Sequence, residues 1–184
     1  MSELLWGISR ASGIVSLLLF TITVVLGIVT WRGRALPGLP RFAVSIVHRD
    51  VSLLATVFLV IHVLTLLGDP YAQVRLIDGL VPFLAAADPV WRGLGTVAAD
   101  LLVAIIITSL ARHRLPAAVF RAIHWAVYPL WVLAFAHGLG SGTDAGSAWY
   151  LGISLAALVT VLAAIGYRVA ARRGAPAAYL EQGR

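Results

Sequence analysis

The chain has no cysteine and no lysine, and only 12% of its 184 residues are charged. Without cysteine there are no structural disulfides, no thiolate metal sites and no thioether-linked c-type haem. A soluble domain of this size would carry about a quarter charged residues. All 14 basic residues are arginine, which reflects either a GC-rich coding bias or a use for guanidinium groups against lipid and carboxylate anions. What the chain has in quantity is apolar sequence, with 60% hydrophobic residues and a mean hydropathy of +0.93. Runs of about 20 mostly apolar residues are long enough to cross a bilayer. The composition therefore predicts an all-α, polytopic membrane bundle.

Five spanning segments are expected, at about 4–31, 42–67, 91–110, 117–139 and 148–171. The first is too long for a signal peptide, and the Gly33 to Pro40 stretch after it reads as a turn rather than a cleavage site. Trp6 and Trp31 stand near its two ends, where interfacial aromatics belong. Between the second and third spans lies GDPYAQVRLIDGLVPFLAAADP, with turn residues at both ends and a short apolar middle. Around ten apolar residues do not span, so this segment is read as interfacial or re-entrant. Residues 4–173 form one membrane domain and 174–184 a polar tail, read as disordered.

The loops alternate in charge. Arg32, Arg34, Arg41, Arg49, Arg112, Arg114, Arg121, Arg168, Arg172, Arg173 and Arg184 fall on one side; Arg10, Arg75 and Arg92 fall on the other, with Asp69, Asp78, Asp88 and Asp144. The positive-inside rule puts the N-terminus outside and the C-terminus in the cytoplasm. The net charge of +6 is thus a topology signal, and no nucleic-acid partner is needed to explain it.

Four histidines sit in apolar sequence: His48 and His62 in the second span, His124 and His137 in the fourth. The members of each pair are 14 and 13 residues apart, roughly 20 Å along a helix. No single metal ion can be reached by both members of such a pair. The second and fourth spans run in the same direction, so His48 shares a depth with His124, and His62 with His137. Each depth offers two imidazoles on two helices, enough to clamp one haem iron axially. Two six-coordinate haems, an inner and an outer one, are expected. Taken singly, a membrane histidine often only hydrogen-bonds across a bundle; four at matched depths point to function. His113, in the arginine-rich loop, is read as solvated.

Fourteen residues at about 100° return to within about 40° of the same helix face, whereas thirteen leave about 140° between the two side chains. Pro129 lies between His124 and His137 and should kink or rewind that helix. Either the kink restores the alignment or the two haems are rotated relative to each other. Arg41, Arg49 and Arg121 are available to inner propionates and Arg10 to outer ones; topology and lipid contact account for the same residues equally well. Phe58, Leu130 and Trp131 lie between the levels, as filler between haem edges or as core. Asp100 is left with three readings: pairing with Arg10, relaying a proton, or snorkelling outward.

The paired histidines on parallel helices, spaced 14 and 13, resemble the ferric reductase-like transmembrane domain, a superfamily that includes NADPH oxidases, ferric reductases and the haem subunit of a bacterial methionine sulfoxide reductase system. The stretch Ser9-Arg-Ala-Ser-Gly13 is similar to that family's arginine-bearing segment near the outer haem. The resemblance implies two b-type haems and electron flow from a cytoplasmic donor (a flavin reductase, a flavoprotein or membrane quinol) to an outer acceptor protein or ferric chelate. It also implies a multi-pass protein of the cell membrane, with a bacterial plasma membrane expected. The family core usually has six helices, so the first is expected to be missing. NADPH oxidases and ferric reductases carry a fused FAD and NADPH domain; here a short tail follows Arg173, so any flavin comes from a partner. Oxidases place a further histidine where this chain has Leu66, which speaks against dedicated superoxide production. No Gly-rich dinucleotide fingerprint follows a strand. Two other readings share some of these features: a small transporter or channel with a histidine proton path, which would favour midplane carboxylates and broken helices, and a haem-binding assembly or sensor protein without electron throughput.

Overall fold

The computed structural model describes residues 2–31 and 40–173, all-helical apart from turns. The expected turn at 33–40, except Pro40, and the expected tail at 174–184 lie outside the described residues. The helices are α1 (Ser2–Trp31), α2 (Arg41–Gly68), α3 (Pro89–Leu110), α4 (Ala117–His124), α5 (Val127–Ser141) and α6 (Ala148–Arg173). Among the described residues five stretches are long and apolar enough to cross a membrane, with α4 and α5 together making one of them. Helical backbone meets its own hydrogen-bonding demand, which lets such apolar sequence leave water.

α1 is the central helix and packs against α2, α5 and α6, while α3 packs against α4 and α5. Phe20, Val24 and Ile28 of α1 meet Leu102 and Ile105 of α3, Leu130 and Trp131 of α5 and Val161 of α6 in one buried core. The α1–α2 seam is lined by small residues. Ser16 donates to the carbonyl of Ala55 at 3.0 Å, and both residues are buried. Small side chains let membrane helices approach closely. α2 is held along this seam and does not pack closely against α4 or α5. A slot is left between α2 and the α4–α5 pair.

The fourth span was expected to be one helix from 117 to 139. It breaks after His124, with Trp125 and Ala126 in a turn. Pro129 has no N–H for the carbonyl of Trp125, four residues earlier. That carbonyl instead accepts from the amide of Tyr128 at 3.2 Å, a tighter turn, before Leu130 resumes the helical pattern on Ala126 at 3.0 Å.

Between α2 and α3, residues 69–88 form turns and a short 3-10 helix at Leu76–Gly79, and do not span. Arg75 clamps Asp78 with two side-chain bonds of 3.1 and 2.6 Å, and its backbone N–H donates to the same carboxylate at 2.9 Å. These bonds hold the Asp78 carboxyl below its ordinary range, the Arg75 side chain being the main cause. Thr96 of α3 donates to the backbone carbonyl of Asp78 at 2.9 Å, which ties the segment to the bundle.

Candidate functional site

The slot brings the four histidines together as two pairs. The ring centroids of His48 and His124 are 6.3 Å apart, and so are those of His62 and His137. Within each pair the ring planes are steeply inclined, by 67° and 77°. The break at Trp125 thus offsets the thirteen-residue mismatch, and both α2 histidines find a partner across the slot.

That separation has a chemical meaning. A metal–imidazole bond of about 2.0 Å, with about 1.1 Å from each nitrogen to its ring centre, places two imidazoles on opposite sides of one metal about 6.2 Å apart, centre to centre. Among the described residues no cluster of three or more His, Cys, Asp or Glu is placed to hold a metal ion. Two imidazoles per level suit a metal whose other ligands come with it, as the four nitrogens of a porphyrin do.

Three of the rings are oriented by helix carbonyls. His62 donates from Nδ1 to the carbonyl of Ser9 at 2.8 Å, His48 to that of Thr23 at 3.1 Å, and His137 to that of Trp91 at 2.9 Å. A carbonyl only accepts, so each Nδ1 carries the proton and each Nε2 keeps its lone pair. Metal-binding histidines are usually held in this way.

A glycine stands four residues after each of these carbonyls. A Cβ on Gly13 would come within 2.9 Å of His62, one on Gly27 within 3.3 Å of His48, and one on Gly95 within 2.7 Å of His137. The missing side chain lets the imidazole reach a carbonyl that already serves its own helix. Ser9 and Thr23, Gly13 and Gly27, and His48 and His62 are all 14 residues apart. The two levels therefore use one construction twice along the α1–α2 seam. His124 differs: its Nδ1 is buried with no hydrogen-bond partner among the described residues.

A cavity of about 470 Å³ surrounds the His62–His137 level. Its walls include Gly13, Phe20, Leu59, Gly95 and Leu130, and Asp69, Tyr71 and Asp78 of the 69–88 segment line its end. Arg10 also lines it. Its guanidinium pairs with Asp144, in the turn between α5 and α6, and lies 4.5 Å over the Trp6 ring. Of the readings for Asp100, pairing with Arg10 is not found: Arg10 pairs with Asp144, and Asp100 is exposed on α3.

The other arginines proposed for anion contact are placed differently. Arg49 is 70% exposed and pairs with Asp50. Arg121 is exposed, and the side chain of Arg41 lies outside the described residues. Arg168 on α6, read only as a topology charge, donates to the Tyr128 hydroxyl and covers Trp125, the residue after His124. Leu130 and Trp131 are buried core, and Trp131 donates to Thr21 at 2.9 Å. His113 is exposed, as expected.

Fold and site together define a multi-pass membrane protein suited to electron transfer. The family described as Ferric reductase like transmembrane component matches residues 12–135, about two thirds of the chain, and the chain belongs to that family. Members of this family generally bind haem. The matched region includes His48, His62 and His124 and ends two residues before His137. Comparisons with curated proteins and with solved structures gave no match.

Proposed function

We propose that the chain carries two haems b and conducts electrons across a bacterial plasma membrane, as the haem subunit of a larger redox system. His48 and His124 are the axial ligands of the inner haem, His62 and His137 those of the outer one. The N-terminus is outside and the C-terminus in the cytoplasm. Electrons enter from a cytoplasmic flavin reductase, a flavoprotein or membrane quinol, and leave to an outer acceptor protein or a ferric chelate.

The observation that carries this reading is the equal 6.3 Å separation of the two histidine pairs, close to the spacing of two imidazoles on opposite sides of one metal. When bound, haem supplies a one-electron couple. The chain orients the imidazoles through the carbonyls of Ser9, Thr23 and Trp91, and surrounds the outer level with apolar walls. Arg10 stands on the cavity wall with a cation for a carboxylate. Arg41, Arg49 and Arg121 belong to the inner end of the bundle, where their charge favours propionates or lipid phosphates.

The test is an absorption spectrum of the purified protein, oxidised and dithionite-reduced, with haem quantified as the pyridine haemochrome. Two low-spin b-type haems per chain are expected. His62→Ala and His137→Ala should each remove the outer haem and spare at least part of the inner one. Full haem content in both variants would defeat the ligand assignment.

A further inference from the structure

The two levels are not equally built. At the outer level both imidazoles have Nδ1 tied to a helix carbonyl, of Ser9 and of Trp91. At the inner level His48 is tied to Thr23, but the buried Nδ1 of His124 has no partner among the described residues. The hydrogen bond on one ring nitrogen decides which tautomer the ring adopts and raises the basicity of the other nitrogen. His124 lacks both effects. Its position is a second, independent difference. It is the last residue of the short helix α4, directly before the Trp125–Ala126 turn, whereas His137 lies within the continuous helix α5. The ring of His124 is steadied by stacking on Phe120, 5.3 Å away on the same short helix.

We infer that His124 is the ligand that yields, and that the inner level is where a small neutral ligand such as carbon monoxide reaches the iron. This rests on the bis-haem reading above. In the exchange the bond from His124 Nε2 to ferrous iron breaks and an iron–carbon bond forms. The imidazole leaves neutral, and no electron or proton is transferred. The outer level stays closed because both of its imidazoles are held from behind.

The experiment uses the full chain loaded with haem. Haem is counted as the pyridine haemochrome, the protein is reduced with dithionite, and carbon monoxide is titrated while the adduct spectrum is followed. About one carbon monoxide per two haems is expected. Gly13→Ala places a Cβ where it displaces His62, and should open the outer level as well, raising uptake to about two per chain. Gly95→Ala acts on His137 at the same level and serves if the first variant does not accumulate. No uptake by the native protein overturns the inference, and so does uptake at both haems. Uptake that stays at one per chain in a glycine variant that still holds two haems also overturns it, because displacing an outer imidazole would then not have opened a second site. Fewer than two haems per chain counts against the bis-haem reading itself, before any gas is added.

Discussion

The Cβ that Gly95 lacks would stand 2.7 Å from Nδ1 of His137. That is closer than unbonded carbon and nitrogen tolerate, so a larger residue must push the ring off the Trp91 carbonyl or push α3 away from α5. On the bis-haem reading, Gly95→Val should therefore lower haem content from two per chain towards one, while the chain still inserts in the membrane. Pyridine haemochrome analysis of the purified variant checks it; two haems with an unchanged spectrum would show that the close approach is not needed.

Pro129 brings His124 and His137 onto a common slot by depriving the Trp125 carbonyl of its usual donor. Pro129→Ala restores that donor and allows a continuous helix from 117 to 141. The two histidines would then return to about 140° apart on that helix, and one level should lose its facing imidazole. The expected outcome is a loss of one haem per chain, read from the haem-to-protein ratio.

Trp131 is 3% exposed and donates to Thr21 at 2.9 Å. Thr21→Val keeps the shape and removes the acceptor, leaving a buried indole N–H unpaired. Interhelical hydrogen bonds in membranes contribute about 0.6 kcal/mol on average and up to about 1.7. Because Trp131 has no water to turn to, the variant should lose about 1 kcal/mol. Reversible unfolding in mixed micelles measures it.

The 69–88 segment should loosen in acid. Asp78 is held below its ordinary value, about 3.8, first by the side-chain bonds from Arg75 and then by the Arg75 backbone N–H. A depressed folded pKa gives stability that is complete well above the unfolded value and is lost as pH falls through the folded one. The clamp should thus be intact at pH 5 to 7 and weaken only below the ordinary value. Hydrogen exchange of the segment should be flat across the neutral range and rise below about pH 3.8; Asp78→Asn should show the faster exchange already at neutral pH.

The histidines were legible because a titratable ring in a run such as Leu-Val-Ile-His-Val-Leu has few structural excuses, and matched spacing in two parallel spans leaves fewer. The break at Trp125 was half legible: Pro129 announced a distortion, but its size depends on packing against α3. The glycines were in plain view, with Gly13 and Gly27 set 14 apart like His48 and His62. Glycine in a membrane helix serves as a packing residue often enough that its sequence position alone does not mark a histidine beside it. The supporting carbonyls were not legible at all, since every residue has one and only the helix register decides which is used. The Arg10–Asp144 pair was legible only as two charges on one side of the membrane. Asp144 lies in a turn 134 positions from Arg10, and nothing local marks it as that arginine's partner.

α2 packs along α1 and leaves a slot on its other side, facing α4 and α5. Two helices that do not pack closely against each other can be drawn together by what lies between them. A group ligated from both sides stitches the bundle across that slot, adding a stability that scales with its supply. The protein's lifetime in a cell should then follow the availability of haem, with unfilled chains the first to be cleared by membrane proteolysis. On the proposed function, the slot would make cofactor loading and final assembly a single event, so that a chain unable to carry electrons would also be one that does not last.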